Sequence, residues 1–412
     1  MRSLSHRCAV QEKELEGEDK ISTSMTSLDF DCIVIGAGIQ GSFTAYHLAK
    51  NKKKTLLLEQ FLLPHSRGSS HGQTRIIRKA YEQDFYVHMM EECLQLWTLL
   101  EAETNTKLYR RTGLLVMGPE RGQSFKLFKD TLKRNNVPTV SLERGEEFSR
   151  HIPHVTLRNG EGAIVDTTAG VLYADRALRA VQGYFQSLGG VIKDGEKVED
   201  ITPGSVVTVT TSAGVYRAKS LVITTGPWAN ALLSHTGLQL PLTVLKINVC
   251  YWREKVPGSY AARKRFPCFV HVGEEWFGHH IYGLPSNEYP GLVKICYHTG
   301  SETDPDKRDR QTDRSDIDIL SQFVSRCLPG LDPEPAVVET CLYTVTPDHH
   351  FVLDRHPSHS NIIIGAGFSG HGFKFGPVVG KVLCELSLGQ LPSHDLSPFK
   401  IQRFQNRSKP RL

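Results

Sequence analysis

A short apolar run followed at once by closely spaced glycines restricts the possible folds of this chain more than any other feature. Residues 30–35 are rich in β-branched side chains and predict a buried parallel strand. They lead into residues 36–41, a G-x-G-x-x-G pattern, and then into a helix-compatible segment. A second strand at residues 55–58 ends at Glu59. This order of strand, glycines, helix, strand and acid predicts an α/β nucleotide-binding unit of the Rossmann type.

The residue types in this unit suit an adenine dinucleotide. Gly36 allows a tight turn, Gly38 lets backbone amides approach a pyrophosphate, and Gly41 lets the helix pack closely on the strand. Glu59 follows by about 20 residues, where a carboxylate accepts hydrogen bonds from ribose hydroxyls. Glycines that only form turns are the alternative, and the completeness of the unit favours the dinucleotide.

Composition limits the class of protein. With 412 residues the chain is long enough for two domains, and its 39% hydrophobic and 23% charged residues are ordinary for a globular protein. No apolar run approaches the roughly 18 residues that span a bilayer. A net charge of +5 gives no reason to expect nucleic-acid binding. The nine cysteines include no C-x-x-C pair, so neither a disulfide framework nor a metal site is expected.

The pattern of strands and helices predicts two interleaved domains. Residues 171–244 return to the nucleotide-binding pattern, whereas the long-looped strands of residues 245–341 indicate a largely antiparallel sheet. The expected division is a disordered extension at 1–27, a nucleotide-binding domain at 28–110, 171–244 and 342–400, a substrate domain at 111–170 and 245–341, and a C-terminal tail at 401–412.

Three further features bear on the site. Residues 64–78 form a loop dense in hydrogen-bond donors directly after the nucleotide-binding unit, so a role in ligand binding is expected. Asp84 is expected to cap the helix that follows. Residues 365–370 repeat the G-x-G-x-x-G pattern, but no second strand with a terminal acid follows. We interpret this repeat as a close backbone approach and a helix N-terminus directed at the same ligand.

Three stretches carry motifs that are much more specific than the glycine pattern. They are Ser69-Ser70-His71-Gly72 with Thr74, Arg75 and Arg78, then residues 341–348, and residues 365–374. Together they resemble the monomeric sarcosine oxidase family, a branch of the amine-oxidising flavoproteins with a D-amino-acid-oxidase-like fold. The resemblance extends over residues 28–400. It implies that the nucleotide is FAD, held in a Rossmann-like domain that is interleaved with a mixed or antiparallel substrate domain.

The resemblance also implies roles for individual residues. FAD would be attached covalently through the sulfur of Cys341, although a cysteine alternating with apolar residues on a strand is also typical of a core. Arg78 and Lys374 match a pair that clamps the substrate carboxylate. Two separate, solvated cations are the alternative. Lys294 matches a lysine that promotes oxygen reduction beside the flavin. It lies in an apolar run, where an unpaired ammonium is costly, and the alternative is an edge-strand lysine that points to solvent.

The remaining positions carry over from the same resemblance. Tyr282 and His298 match residues that line the substrate pocket. A structural role is the alternative for a tyrosine and a histidine on strands. The loop between Tyr282 and Lys294 is one residue longer than in bacterial members of the family, which is a departure from the pattern. The other expected cofactor-binding residues are Ser70, His71, Thr74, Arg75, Gly226, Gly367, Gly370 and Gly372.

The implied function is flavin-dependent oxidation of a small secondary amino acid to an imine, with O2 reduced to hydrogen peroxide. Sarcosine, L-pipecolate and L-proline are the candidate substrates, and a monomer is expected. The alternatives are a flavin dehydrogenase that passes electrons to a carrier protein and a non-catalytic dinucleotide-binding sensor. The C-terminal Pro410-Arg411-Leu412 resembles a peroxisomal address of the S-K-L type. It would engage an import receptor and direct the protein to the peroxisome.

Overall fold

The computed structural model describes residues 29–142, 145–264, 266–273 and 280–408. Its elements are numbered here in chain order. The strands are β1 (Phe30–Ile35), β2 (Thr55–Leu58), β3 (Thr74–Ile77), β4 (Tyr109–Arg111), β5 (Leu114–Pro119), β6 (Thr139–Leu142), β7 (Glu161–Asp166), β8 (Gly170–Tyr173), β9 (Val191–Lys193), β10 (Val198–Thr202), β11 (Val207–Thr211), β12 (Gly214–Ile223), β13 (Thr243–Glu254), β14 (Cys268–His271), β15 (Ile281–Leu284), β16 (Leu292–Tyr297), β17 (Ser301–Glu302), β18 (Leu331–Val345), β19 (Val352–Arg355) and β20 (Ile362–Ala366). The helices are α1 (Ile39–Lys50), α2 (Asp84–Thr104), α3 (Gln123–Arg134), α4 (Glu146–His151), α5 (Ala174–Ser187), α6 (Ala229–Leu233), α7 (Ser315–Cys327) and α8 (Gly376–Ser387).

The first large sheet is built around β1. This strand pairs in parallel with β2 on one side and with β12 on the other. Strands β9 and β20 extend the parallel core, and β10, β11 and β19 add antiparallel strands to complete an eight-stranded sheet within the described residues. Helix α1 packs against α5 and α8. The predicted strand, glycine turn, helix and strand are therefore confirmed.

The second large sheet is centred on the long strand β13. It pairs antiparallel with β16, β17 and β18, while β14 joins β15 antiparallel and β5 in parallel. The expected mixed sheet is thus confirmed. Helix α7 packs on β16 and β18, over a core that includes Trp252, Val293 and Ile295. A third, small sheet in the order β3-β8-β4 lies beside them.

Asp84 does not cap α2, so that prediction was wrong. Gln83 occupies the N-cap position and makes no side-chain capping hydrogen bond. The Asp84 carboxylate instead accepts hydrogen bonds from Arg134 Nη2 at 3.0 Å and from Asn135 Nδ2 at 2.6 Å. These partners lie at and just after the end of α3, so a tertiary contact has replaced the local one.

Strand β18 is longer than the sequence indicates. It includes Pro333 and Pro335, residues that argue against a central strand because they donate no backbone hydrogen bond. Among the described strands β18 pairs with β13 alone, and an edge position tolerates proline. The domain boundary expected between residues 341 and 342 lies inside this strand.

The stretch at residues 64–78 is not a loop throughout. Its last part forms β3, which pairs antiparallel with β8. This pairing fixes Thr74 opposite Tyr173 and Arg75 opposite Leu172. The segment with the predicted cofactor contacts therefore has one end held by a sheet, as a site that needs fixed side-chain directions requires.

The predictions for residues 1–27 and for Pro410-Arg411-Leu412 lie outside the described residues. The described part of the tail is attached to the body, since Ile401 N donates to Asp354 at 3.0 Å and Arg403 donates to Asp348 at 2.9 Å. Of the helices in the described ranges, none combines the length and the apolar composition needed to cross a membrane. The eight described cysteines are free thiols.

Candidate active site

The glycine turn after β1 is closed by contacts that only glycine permits. Gly36 has a φ of 98°, and a Cβ there would lie 2.6 Å from the carbonyl oxygen of Thr224. A Cβ on Gly41 would lie 2.0 Å from the carbonyl oxygen of Gly36. The backbone that follows β1 therefore lies in close contact with Thr224 and with the first turn of α1. A side chain at Gly36 or Gly41 would prevent this contact.

Glu59 and the serine-rich loop are both bonded to this turn. The Glu59 carboxylate accepts hydrogen bonds from Ala37 N at 3.0 Å and from Phe61 N at 3.1 Å. Ser70 Oγ accepts a hydrogen bond from Ile39 N at 3.0 Å. The Glu59 carboxylate and the Ser70 hydroxyl are thereby held at the N-terminus of α1. A helix N-terminus stabilises the negative charge of a phosphate-bearing ligand.

A cavity of about 680 Å³ begins at this turn and continues between the two large sheets. It extends from Gly36 and Glu59 to Arg78 and Lys374. The predicted site residues that line it are Gly36, Gly38, Glu59, Ser70, His71, Thr74, Arg75, Arg78, Gly226, Tyr282, Lys294, His298, Cys341, Gly370, Gly372 and Lys374. Gly41 and Gly367 are not part of the lining. Gly41 packs closely on the backbone of Gly36, and Gly367 packs on the side chain of Thr346.

Several buried polar atoms in this lining have no hydrogen-bond partner within the described part of the chain. They are Gln40 Oε1, His71 Nε2, Arg78 Nη1, Thr225 Oγ1 and Thr344 Oγ1. Buried polar groups are normally paired, so such a concentration indicates a polar ligand. Amide, hydroxyl, imidazole and guanidinium groups along one cavity suit phosphates, ribose hydroxyls and a polar ring system. The residues present therefore fit FAD.

Period-two alternation brings distant residues of the second sheet to one face. On β16, Lys294 and Cys296 point to the same side, and they lie next to Leu284 and Tyr282 of β15 in the sheet register. On β18, Cys341 pairs with Ile247 of β13, and Tyr343 lies two residues further on the same side. The opposite face packs against α7. The site face and the core face of the sheet are thus set by register.

Lys294 is buried, with 5% of its surface exposed. Its Nζ donates to the carbonyl oxygen of Thr74 at 3.3 Å and lies 3.5 Å from Oε1 of Glu288. It also lies 5.8 Å from the centroid of the Tyr251 ring. The alternative of a lysine that points to solvent from an edge strand is excluded by this burial.

Cys341 lies on the cavity wall beside the loop at residues 69–75. Its sulfur lies 3.9 Å from the carbonyl oxygen of Ser69, and the residue is 6% exposed. Arg75 holds that loop in place by donating to the carbonyl oxygens of Ser69 at 2.9 Å, His71 at 2.6 Å and Thr74 at 2.8 Å. Burial, together with the charge of Arg75, lowers the pKa of His71 to about 3, so this imidazole is neutral.

Arg78 and Lys374 meet at the other end of the cavity. The guanidinium carbon of Arg78 lies 4.1 Å from the centroid of the Tyr81 ring, and Lys374 Nζ lies 5.7 Å from it. Lys374 Nζ donates to the Tyr81 hydroxyl at 3.1 Å and to the carbonyl oxygen of His371 at 3.0 Å. Burial, and then the charge of Arg78, holds the pKa of Lys374 well below its ordinary value.

Three aromatic side chains, Tyr282, His298 and Tyr343, form a neutral aromatic group in the same cavity. The Tyr343 hydroxyl is 3.1 Å from the Tyr282 hydroxyl and 3.4 Å from His298 Nδ1. Burial lowers the pKa of His298 well below its ordinary value, and the charges of Arg78 and Lys374 act in the same direction. Burial also raises the pKa of Tyr282 well above the usual range. These side chains are therefore uncharged near neutral pH, and the cations stand out as the charged groups.

The second glycine pattern forms part of the same wall. Gly370 has a φ of 77°, and a Cβ there would lie 2.4 Å from the Tyr343 ring. A Cβ on Gly367 would lie 2.4 Å from the side chain of Thr346. Gly226, with a φ of 53°, turns the chain after β12. Residues 367 and 370 therefore pack against side chains of the wall, and the close approach of this segment to a ligand stays a prediction.

Three residues of the site were missed by reasoning from the sequence. The Tyr81 ring contacts both Arg78 and Lys374. Tyr343 links His298 to Tyr282, and Glu288 pairs with Lys294. Tyr343 alternates with Cys341 on one strand, and this alternation could have indicated it. Tyr81 and Glu288 gave no signal, because their positions depend on contacts between segments far apart in the sequence.

Comparison with known proteins agrees with this geometry. The family model described as FAD dependent oxidoreductase matches residues 31–386. The chain is 56% identical over 389 residues to peroxisomal sarcosine oxidase of Homo sapiens, covering 93% of this chain and 98% of that one. It is 38% identical to a monomeric sarcosine oxidase of a Bacillus species, covering 92% and 97% of the two chains. The solved structure of NikD, an amino acid oxidase essential for nikkomycin biosynthesis, superimposes with a TM-score of 0.79 at 24% identity, covering 91% and 98%.

The family match, together with the two-sheet fold and its cavity, defines a flavoprotein oxidoreductase. The NikD structure supports the fold alone at this level of identity. The chain belongs to the FAD dependent oxidoreductase family and, within it, to the sarcosine oxidases.

Proposed function

We propose that this protein is a FAD-dependent oxidase of small secondary amino acids. The single observation that carries the proposal is the meeting of Arg78 and Lys374 on one tyrosine ring at the end of the cavity. Arg78 Nη1 is buried there without a hydrogen-bond partner among the described residues. A carboxylate supplies the missing acceptor and the negative charge that two neighbouring cations require.

The size of the amino acid is limited by what surrounds this clamp. The centroid of the Phe128 ring lies 5.6 Å from the Arg78 guanidinium carbon, and Tyr282 and His298 line the cavity. Carboxylate binding at Arg78 and Lys374 fixes one end of the substrate, so its amine and the adjacent carbon lie towards the neutral aromatic group. Neutral Tyr and His side chains suit an unprotonated amine, since they add no positive charge beside it.

The residues that would hold FAD are the glycine turn, Glu59, Ser70, His71 and Arg75. Bound there, FAD would supply a two-electron acceptor for oxidation of the substrate to an imine. The two electrons and the two protons that the substrate loses would then be delivered to O2, giving hydrogen peroxide. Lys294 contributes a positive charge on the cavity wall, where it favours the negative charge that oxygen gains during reduction.

Covalent attachment of FAD through Cys341 is part of the proposal. Support comes from position, since the Cys341 sulfur lies on the cavity wall beside the loop that Arg75 holds. The surrounding cysteines Cys296 and Cys250 face other side chains in the sheet and have raised pKa values because of burial.

The cellular setting follows from the relatives. Two chains at 55–56% identity are named peroxisomal sarcosine oxidase, and a peroxisome contains the hydrogen peroxide that an oxidase releases. We therefore assign the protein to the peroxisome and propose Pro410-Arg411-Leu412 as its import address. A fluorescent fusion that ends in these three residues is expected in peroxisomes, and one that lacks them is expected to stay outside.

The direct test is reduction of the flavin under nitrogen. Sarcosine, L-pipecolate and L-proline are added in turn to the purified yellow protein, and the visible flavin absorbance is followed. At least one is expected to bleach it, and admission of air is expected to restore the colour with one hydrogen peroxide per substrate. No bleaching with any of the three would contradict the proposal, and bleaching without peroxide would indicate a dehydrogenase instead.

A further inference from the structure

A buried carboxylate that the proposed mechanism does not use lies behind Lys294. Glu288 belongs to the loop between β15 and β16, the loop in which the sequence departs from the bacterial pattern. Its side chain is 2% exposed. It does not belong to the cavity lining, so it would touch neither substrate nor cofactor.

The contacts of Glu288 are concentrated on one oxygen. Oε1 accepts a hydrogen bond from the Thr74 hydroxyl and lies 3.5 Å from Lys294 Nζ. Oε2 is buried and has no hydrogen-bond partner within the described ranges. The negative charge is therefore not shared with any other cation in ion-pair contact in that part of the chain, and Lys294 receives its full effect.

Among the described residues, Glu288 is the carboxylate in ion-pair contact with Lys294. Tyr251 approaches from β13, and burial raises the pKa of its phenol. Cys296 lies two residues along β16, and burial raises the pKa of its thiol. His71 faces it from the loop and is neutral, with a pKa lowered to about 3 by burial and Arg75. The Thr74 carbonyl contributes a dipole only.

A buried ammonium without a counter-charge tends to lose its proton, because burial penalises the charged form. We propose that Glu288 is a positioning residue, which keeps Lys294 protonated and directs its ammonium to the cavity wall. This inference rests on the proposed role of Lys294 in oxygen reduction. The loop that carries Glu288 thus supplies an opposite charge beside a buried lysine.

The first test measures how fast the reduced holoenzyme is reoxidised by O2 as the pH is raised. In the wild type the rate constant is expected to change little as the pH is raised, because the Glu288 carboxylate favours the charged form of its neighbour. In Glu288→Gln it is expected to fall about tenfold between about pH 7 and about pH 9.5. Reduction by substrate is expected to keep its wild-type pH profile, since Glu288 does not reach the substrate.

The matched control is Glu339→Gln. Glu339 accepts hydrogen bonds from Tyr251 at 3.2 Å and Tyr289 at 2.5 Å and makes no ion pair with Lys294. The substitution removes one carboxylate that contacts Tyr251, and the wild-type pH profile of reoxidation is expected to persist. If Glu288→Gln yields too little folded protein, Glu288→Asp serves in its place. Asp keeps the charge at a longer distance and is expected to give an intermediate profile.

A second readout does not depend on turnover. Melting temperatures of Glu288→Gln, Lys294→Met and the double variant form a cycle on the holoenzyme. The double variant is expected to lose less than the sum of the single losses, because each single change leaves a buried charge unpaired. Additive losses, or equal pH profiles for Glu288→Gln and wild type, would overturn the role of Glu288. If Lys294→Met reoxidised at the wild-type rate, the proposed role of Lys294 would fail with it, whereas bleaching by substrate would still test the oxidase itself.

Discussion

Arg78 and Lys374 lie against the same phenol ring, with the Arg78 guanidinium carbon 4.1 Å and Lys374 Nζ 5.7 Å from the centroid of Tyr81. Arg78 is the residue directly after β3. Lys374 lies in the segment after β20, towards the other end of the chain. Like charges held this close are costly, and cation–π contact offsets only part of that cost. The proposed carboxylate clamp accounts for this arrangement, since a bound anion would balance the two charges.

Replacing Lys374 by Met is expected to weaken use of the substrate. A hydrogen bond to a charged group contributes about 2–3 kcal/mol, so kcat/KM should fall roughly 30- to 150-fold. Steady-state peroxide production measures this. The control is Lys381→Met on α8, where the lysine pairs with Glu92 on the surface side and should not affect kcat/KM. Equal losses for the two variants would mean that Lys374 acts through stability alone.

Carboxylate binding should depend on pH through Lys374. Burial, and then Arg78, holds the pKa of Lys374 well below that of an ordinary lysine. A bound carboxylate favours the charged ammonium, so binding takes up a proton once the free amine is neutral. Above the pKa of the free protein, the Kd of acetate should therefore rise by up to about tenfold per pH unit. The shift of the flavin spectrum reports binding.

The same titration with Lys374→Met is the control for that dependence. The variant is expected to bind acetate weakly at every pH, since no proton is taken up at position 374. A wild-type Kd that stays constant from about pH 6 to about pH 9 would contradict the assignment of the linked proton to Lys374.

Gly41→Ala is expected to destabilise the protein and to reduce its flavin content. The added Cβ would lie 2.0 Å from the carbonyl oxygen of Gly36, so the glycine turn must move. Overpacking of this kind costs about 2 kcal/mol or more. Melting temperature and the ratio of visible to protein absorbance measure the two effects.

Gly183→Ala provides the comparison within a helix of the same domain. No atom lies within 4 Å of a Cβ at Gly183, and alanine in a helix interior is favoured by about 1 kcal/mol. Its melting temperature should stay the same or rise. A similar loss in both variants would show that the glycine turn has no special role.

Cys341→Ser is expected to release the flavin from the polypeptide. After acid precipitation the wild-type pellet should remain yellow, whereas the colour of Cys341→Ser should pass into the supernatant. Cys268→Ala tests whether any buried cysteine gives this result, since Cys268 lies in β14 beside Thr112 and should leave the pellet coloured. Colour in the wild-type supernatant would exclude attachment through Cys341.

Local patterns in the sequence were sufficient to predict the nucleotide-binding unit. Strand β1, the glycine turn and β2 lie where the sequence predicts them, because a buried parallel strand and a glycine pattern are specified by neighbouring residues. Strand β18 was only partly recognised, since Pro333 and Pro335 obscure an edge strand. The prediction that Asp84 caps α2 was wrong, because its carboxylate accepts hydrogen bonds from Arg134 and Asn135 at the end of α3 instead.

The site itself was predictable only through the family resemblance. Nothing in the spacing of Arg78 and Lys374 indicates that they share a ring, because their meeting depends on the packing of both sheets. Glu288 illustrates the limit further. A glutamate in a loop between two strands is ordinarily exposed, and only the three-dimensional structure shows that its side chain is buried beside Lys294.

The carboxylate clamp is tested most directly by comparing sarcosine with its methyl ester as reductants of the wild-type flavin under nitrogen. The ester keeps the secondary amine and the reacting carbon but lacks the negative charge. At limiting concentration its second-order rate constant is expected to be at least about 100-fold lower than that of sarcosine. Equal rate constants for the acid and the ester would contradict the clamp formed by Arg78 and Lys374.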